Sequence, residues 1–173
     1  LAFLVWSAVL IISLILQSTL LEHPVLVTKP DLLLVIIVLW GLLRGSREGA
    51  QLGFFFGLVE DLFVGKYIGL NLLSKALAGY VAGWGESRFY KENLLLPAVG
   101  LLVATPFFQL VYYLFAGLGG LSIDPLIFVR DTLIKSGYHG LIAILIYYPL
   151  FSWANKVNLK IPEKNDPYRL WRR

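Results

Sequence analysis

The chain has 173 residues, of which 58% are hydrophobic and only 15% charged, with a mean hydropathy of +0.74. That leaves too little polar surface for a soluble domain of this size, so the bilayer is expected to be the solvent of a single membrane domain. The formal charge of +4 resides in residues 155–173, and the absence of cysteine excludes a disulfide framework, a thiolate metal site and a cysteine nucleophile.

Residues 1–21 form an apolar run broken only by Ser7, Ser13, Gln17, Ser18 and Thr19. It reads as a first span rather than a signal peptide. No basic front precedes it, it exceeds the ~7–15 residue core of a signal sequence, and no small-residue cleavage site follows. A second helix is expected to begin at Pro30 and Asp31, a proline suited to the first helical position followed by an acid near the positive end of the helix dipole. Its apolar stretch ends near Leu43, about 21 Å along. That falls short of the ~30 Å hydrocarbon core, so the helix is expected to sit inside the bundle. A basic turn, Arg44, Gly45, Ser46 and Arg47, leads to a third helix from about Glu48 to Val64, giving a tight hairpin.

A fourth helix is predicted from Leu70 to Trp84, and a fifth from about Leu94 to Ala116 with Pro106 in its middle, where the lost hydrogen bond should kink it. Asp124 and Pro125 form a helix start, but Arg130, Asp131 and Lys135 make the following turns too polar for lipid. Residues 125–135 therefore read as an interfacial helix, with Asp131 and Lys135 as a local i, i+4 pair, and residues 136–154 as the sixth span. The expected organisation is an all-α membrane protein with a six-helix transmembrane domain over 1–154 and a basic cytoplasmic tail over 155–173.

Basic residues set the orientation. With the tail in the cytoplasm, the inside segments hold Arg44, Arg47, Arg88, Lys91 and six tail cations, against Lys29, Lys66 and Arg130 outside, a bias of ten to three. Both termini are thus expected to face the cytoplasm. The tail cations read either as an attraction for anionic lipid or an acidic partner, or as a topology signal alone. No nucleic-acid module is recognisable, so the basic pI carries no implication of nucleic acid.

Two features within the apolar runs invite interpretation. Gly45, Gly49, Gly53 and Gly57 stand four apart, and Gly79 and Gly83 repeat the spacing on the fourth helix. A step of four advances a helix face by about 40°, so the first set sweeps a slanted groove suited to a right-handed crossing of about −40°. The partner could be the fourth or sixth helix of this chain or a helix of another protein. The second feature is charge: folding the hairpin about Tyr67 brings Lys75 within reach of Glu60 or Asp61, which predicts a structural ion pair.

Catalysis has little support. Glu60 and Asp61 are adjacent and point about 100° apart on a helix, which does not suit a general acid and base pair. His23 and His139 are the only histidines and lack metal-ligand spacing, no HExxH occurs, and the glycine stripe lacks the GK[ST] of a phosphate-binding loop. The sequence reads as non-enzymatic, with no catalytic residue, metal or cofactor.

The order Pro30-Asp31-Leu-Leu-Leu, Leu43-Arg44-Gly45, Gly49-x-x-x-Gly53-x-x-x-Gly57-Leu58-x-x-Asp61-Leu62, Gly69-Leu70-Asn71 and Gly79-Tyr80 resembles the bacterial rod-shape-determining MreD family over about residues 30–83. The resemblance implies a non-enzymatic inner-membrane scaffold of the cell-elongation complex that binds MreC and supports peptidoglycan synthesis and rod shape. It further implies RodA, its transpeptidase and MreB as associates, and a fold similar to the substrate-binding subunits of energy-coupling-factor vitamin transporters. Lys75 matches no motif of the family. The rival reading is such a vitamin-binding subunit, for which Tyr67, Asn71, Lys75 and Trp84 could line a pocket; homo-oligomerisation stays open.

Overall fold

The computed structural model describes residues 2–19, 28–65, 68–85, 95–121 and 124–156. Every regular element among them is helical: α1 (Ala2–Thr19), α2 (Leu32–Arg44), α3 (Ser46–Val64), α4 (Leu70–Trp84), α5 (Leu95–Leu118) and α6 (Pro125–Lys156).

The short α2 is the axis of the bundle. Its residues Leu33 to Leu39 are almost completely buried, and it packs against all five other helices. An all-round apolar sequence such as LLLVIIVLWGLL forms a helix that must be covered on every side. One side of α2 carries Leu34, Val38 and Leu39 into a cluster with Leu101 and Phe108 of α5 and Ala143 and Tyr147 of α6. The other carries Leu33, Ile37 and Trp40 against Leu14 of α1 and Leu52 and Phe56 of α3. Where α1 begins and α6 ends, Trp6 meets Trp40 edge-on at 4.7 Å between ring centroids and Trp153 at 5.4 Å. Such edge-to-face pairs are a favourable aromatic geometry, and here they tie α1 to the bundle.

Several boundaries differ from the sequence expectation. Pro30 and Asp31 lie outside α2, with Asp31 as its N-cap in extended conformation, because the aspartate side chain caps the first turn only from a non-helical position. The residues expected as an interfacial helix, 125–135, continue without a break into those expected as the sixth span, as the single helix α6. Pro106 lies inside α5 without ending it. Asp131 approaches Arg130 at 3.4 Å rather than forming the expected bridge to Lys135. His23, Tyr67, Lys66, Arg88, Lys91 and tail residues 157–173 lie outside the described residues.

Among the described residues one helix, Pro97–Leu118, is long and apolar enough to cross a membrane by itself, and Leu4–Thr19 and Leu32–Arg44 are shorter apolar helices. The other helices are interrupted by charge: α3 carries Glu60 and Asp61 in its final turns and α4 carries Lys75. The distribution of side chains is inverted relative to a water-soluble bundle. Lys75, His139 and Asp61 are buried, while Leu118 and Leu145 are 84% and 76% exposed.

Candidate functional site

At 13 residues, α2 is far shorter than α5 or α6, with 24 and 32. Its N-terminus therefore stops inside the bundle, with Pro30 and Thr28 buried beside it. A helix start leaves four backbone N–H groups without intrahelical partners, and out of reach of water each needs an acceptor. The chain supplies them from three directions. The Asp31 carboxylate accepts from Leu34 N–H at 2.8 Å. Gln17 of α1, its amide oxygen turned toward α2, accepts from Leu32 and Leu33 N–H at 2.7 and 3.2 Å. His139 of α6 accepts the Asp31 N–H on Nε2 at 2.8 Å, which leaves the ring proton on Nδ1 to be donated to Thr105 of α5 at 2.9 Å.

The Asp31 carboxylate needs a counter-charge, and α4 provides it. Lys75, with a fully buried side chain, places Nζ 3.0 Å from Asp31 Oδ1 and 2.8 Å from Oδ2, and donates a second charged hydrogen bond to Glu60 of α3. Its ammonium also stands 5.9 Å above the Phe108 ring of α5, a cation–π distance. Two carboxylates thus face one ammonium. The positive end of the α2 dipole and the charge of Lys135, which interacts electrostatically with Asp31, offset the excess negative charge. The other five helices each contribute a side chain to this hub, and α2 contributes its first backbone N–H groups and its N-cap Asp31.

The expected ion pair of Lys75 with Glu60 or Asp61 thus forms with Glu60, and with Asp31 in place of Asp61. Asp61 has a different task. The N-cap of α4 is Gly69, with a φ of +108° and no side chain to cap with. Asp61 reaches across from α3 and accepts from Gly69 N–H at 2.8 Å, from Asn71 and Leu72 N–H at 3.1 Å each, and from Asn71 Nδ2 at 3.0 Å. One carboxylate at the positive end of α4 thereby closes the α3–α4 hairpin. Asp61→Ala should destabilise the protein by about 2 kcal/mol or more, since three part-buried backbone donors lose their acceptor, while Asp61→Asn, which keeps one oxygen, should lose less. Thermal unfolding in detergent checks this, and equal losses would contradict the capping role.

The two glycine faces meet each other. A Cβ on Gly53 would stand 2.6 Å from the carbonyl carbon of Lys75, and one on Gly57 2.6 Å from the Cα of Leu72. Gly49 and Gly79 are in backbone contact, and Gly83 abuts Gly45 and Ser46. The groove is therefore filled by α4 of the same chain. Gly45 adds a separate requirement, a φ of +95° at the junction of α2 and α3. Gly41 of α2 joins the same contact, since a Cβ there would stand 2.7 Å from Gly79 O.

Sequence reasoning missed Gln17, Gly41 and Thr105, and for His139 it went no further than the lack of metal-ligand spacing. Gly41 could have been found, because it extends the four-residue step one place backward from Gly45. Nothing local marks Gln17 or Thr105. Asn71 and Lys75, proposed as lining for a vitamin pocket, are engaged by Asp61 and by the hub, and Trp84 stands at the opposite end of α4.

A helical bundle with apolar outer faces, a helix end buried at its centre and its charges paired inside defines a membrane-associated helical protein. The family described as rod shape-determining protein MreD matches residues 1–157, and the chain belongs to it. No curated protein and no solved structure matches. The role that follows is in rod shape determination.

Proposed function

We propose that the protein is a non-enzymatic scaffold of the cell-elongation complex in the bacterial inner membrane, with all six helices spanning or embedded in the bilayer and both termini cytoplasmic. In this reading it binds MreC, associates with RodA, its transpeptidase and MreB, and supports peptidoglycan synthesis by positioning partners. The observation that carries it is the inversion of polarity. The buried charges are engaged in one another's hydrogen bonds and in capping helix ends, while the outer faces of α3, α5 and α6 present leucine, valine and phenylalanine. A carboxylate that accepts four hydrogen bonds, or that is shared with a lysine and a helix end, is held in place rather than poised to react. Side chains arranged in this way fix a rigid shape, and a rigid shape with apolar outer faces suits docking to other helices.

A solute-binding subunit would need free polar groups converging on a cavity. Among the described side chains only the Ser74 hydroxyl is buried without a hydrogen-bond partner, and one hydroxyl is little recognition chemistry for a vitamin. Copurification from native membranes separates the two readings. The scaffold should bring down cell-wall synthesis proteins, with an MreC-like single-span protein foremost. Recovery of ATPase subunits, together with thermal stabilisation by a specific vitamin, would overturn it.

A further inference from the structure

Two adjacent clefts open between α1 and α3. The first, about 470 Å³, is almost wholly apolar and is walled by Leu10 and Ile11 of α1 and Phe55 and Val59 of α3. The second, about 580 Å³, lies toward the start of α3 and is of mixed polarity, lined by Arg47, Glu48 and Gln51 as well as by aromatic side chains. Trp6, Leu52 and Phe55 line both. Each volume falls in the range of about 300–1,000 Å³ typical of small-molecule sites. Ile11 and Phe55 are more than half exposed, so the slot can be entered sideways from the surrounding medium.

The charges of the second cleft are unequal in availability. Glu48 is held by Arg44 through two hydrogen bonds of 3.0 and 2.8 Å, and the Arg44 guanidinium also lies over Trp40 at 5.8 Å. Arg47, exposed and lining the same cleft, pairs with no acid among the described residues. A free guanidinium at one end and a long apolar slot at the other complement an amphiphile with an anionic head and a hydrocarbon tail. A guanidinium suits a phosphate because its planar fork can donate two hydrogen bonds, and the indole of Trp6, which lines both clefts, stands where headgroup and chain regions would join.

The geometry points to a binding site for one anionic phospholipid between α1 and α3, with its phosphate at Arg47 and an acyl chain in the slot beyond Phe55. The site fixes α1, whose contacts with the bundle are few apart from the Trp6 cluster. It is independent of which proteins the scaffold binds.

The test is native mass spectrometry of the full chain in detergent, titrated with phosphatidylglycerol or phosphatidylcholine. The wild type should hold one phosphatidylglycerol about five-fold more tightly than phosphatidylcholine, the scale of one interfacial cation acting on an anionic head. Arg47→Ala should bring the two lipids level. Val59→Trp, which fills the slot from a part-exposed position, should weaken both lipids about ten-fold with thermal unfolding unchanged. The tail cations are identical in all three proteins, so a preference that survives Arg47→Ala would place it in the tail and overturn the site. Adducts insensitive to Val59→Trp, or a dimer that this substitution dissociates, would assign the slot to something other than lipid and overturn it equally.

Discussion

Replacing Lys75 alone with methionine should destabilise the protein by about 3–5 kcal/mol, because it leaves the Asp31 and Glu60 carboxylates buried without their shared ammonium. Replacing all three together, Lys75→Met with Asp31→Asn and Glu60→Gln, should be much less harmful. The amide that Asp31→Asn introduces retains an oxygen for the Leu34 N–H, and neither position 31 nor position 60 is left with a charge that has lost its ammonium. The inequality follows from desolvation. A charge pair in a low-dielectric interior contributes little net stability over neutral groups of the same shape, but a lone charge there is strongly unfavourable. Thermal unfolding in detergent micelles measures both variants. If the triple variant were as unstable as the single one, the lysine would act through its packing against Phe108 and not through its charge. His139→Phe added to the triple variant should cost further stability, since the backbone N–H at position 31 would lose its only acceptor.

The extent to which this hub was legible follows from sequence distance. The glycine spacing, the helix order and the hairpin of α3 and α4 are local patterns, and a helix period of 3.6 residues translates them directly into faces. Lys75 and Glu60 are fifteen residues apart across one turn, so counting along two antiparallel helices sufficed to bring them together. Asp31 is 44 residues from Lys75 and 108 from His139. No spacing rule reaches that far. Pro30 and Asp31 mark a dipole-favoured helix start, and the shortness of α2 places that helix inside the bundle, but neither pattern names the distant residues that meet its first turn. A helix too short to cross the bundle must end within it, and a buried helix end demands acceptors and a counter-charge from its neighbours. The choice between Glu60 and Asp61 stays open in the sequence for a related reason. Gly69 as N-cap supplies no side-chain oxygen, so an acid opposite the start of α4 serves as its cap before it serves as a salt bridge.

Gly53→Ala should destabilise the protein by about 1–3 kcal/mol, the usual range for overpacking, and Gly53→Leu should prevent folding. The obstruction is backbone: an added Cβ would stand 2.6 Å from the Lys75 carbonyl carbon and 2.9 Å from the Ala76 Cα, and neither can rotate aside as a side chain could. The two helices would have to separate. Gly117 in α5 and Gly137 in α6 serve as controls, since an added Cβ meets nothing within 4 Å at either position. Alanine there should be neutral or stabilising by up to about 1 kcal/mol, the difference in helix propensity. The opposite signs separate close packing from a general intolerance of glycine replacement. Because the closest of the atoms that crowd Gly53 belong to Lys75 itself, any separation of α3 from α4 also withdraws the ammonium from Asp31 and Glu60. Gly53→Ala should therefore lose less stability in a background where the three hub charges are already neutral. A double-mutant cycle in detergent would read this coupling as a difference of about 0.5 kcal/mol or more, the scale seen between residues in contact. Strict additivity would mean that the glycine seam and the charged hub are independent, and that helix spacing does not govern the lysine's reach.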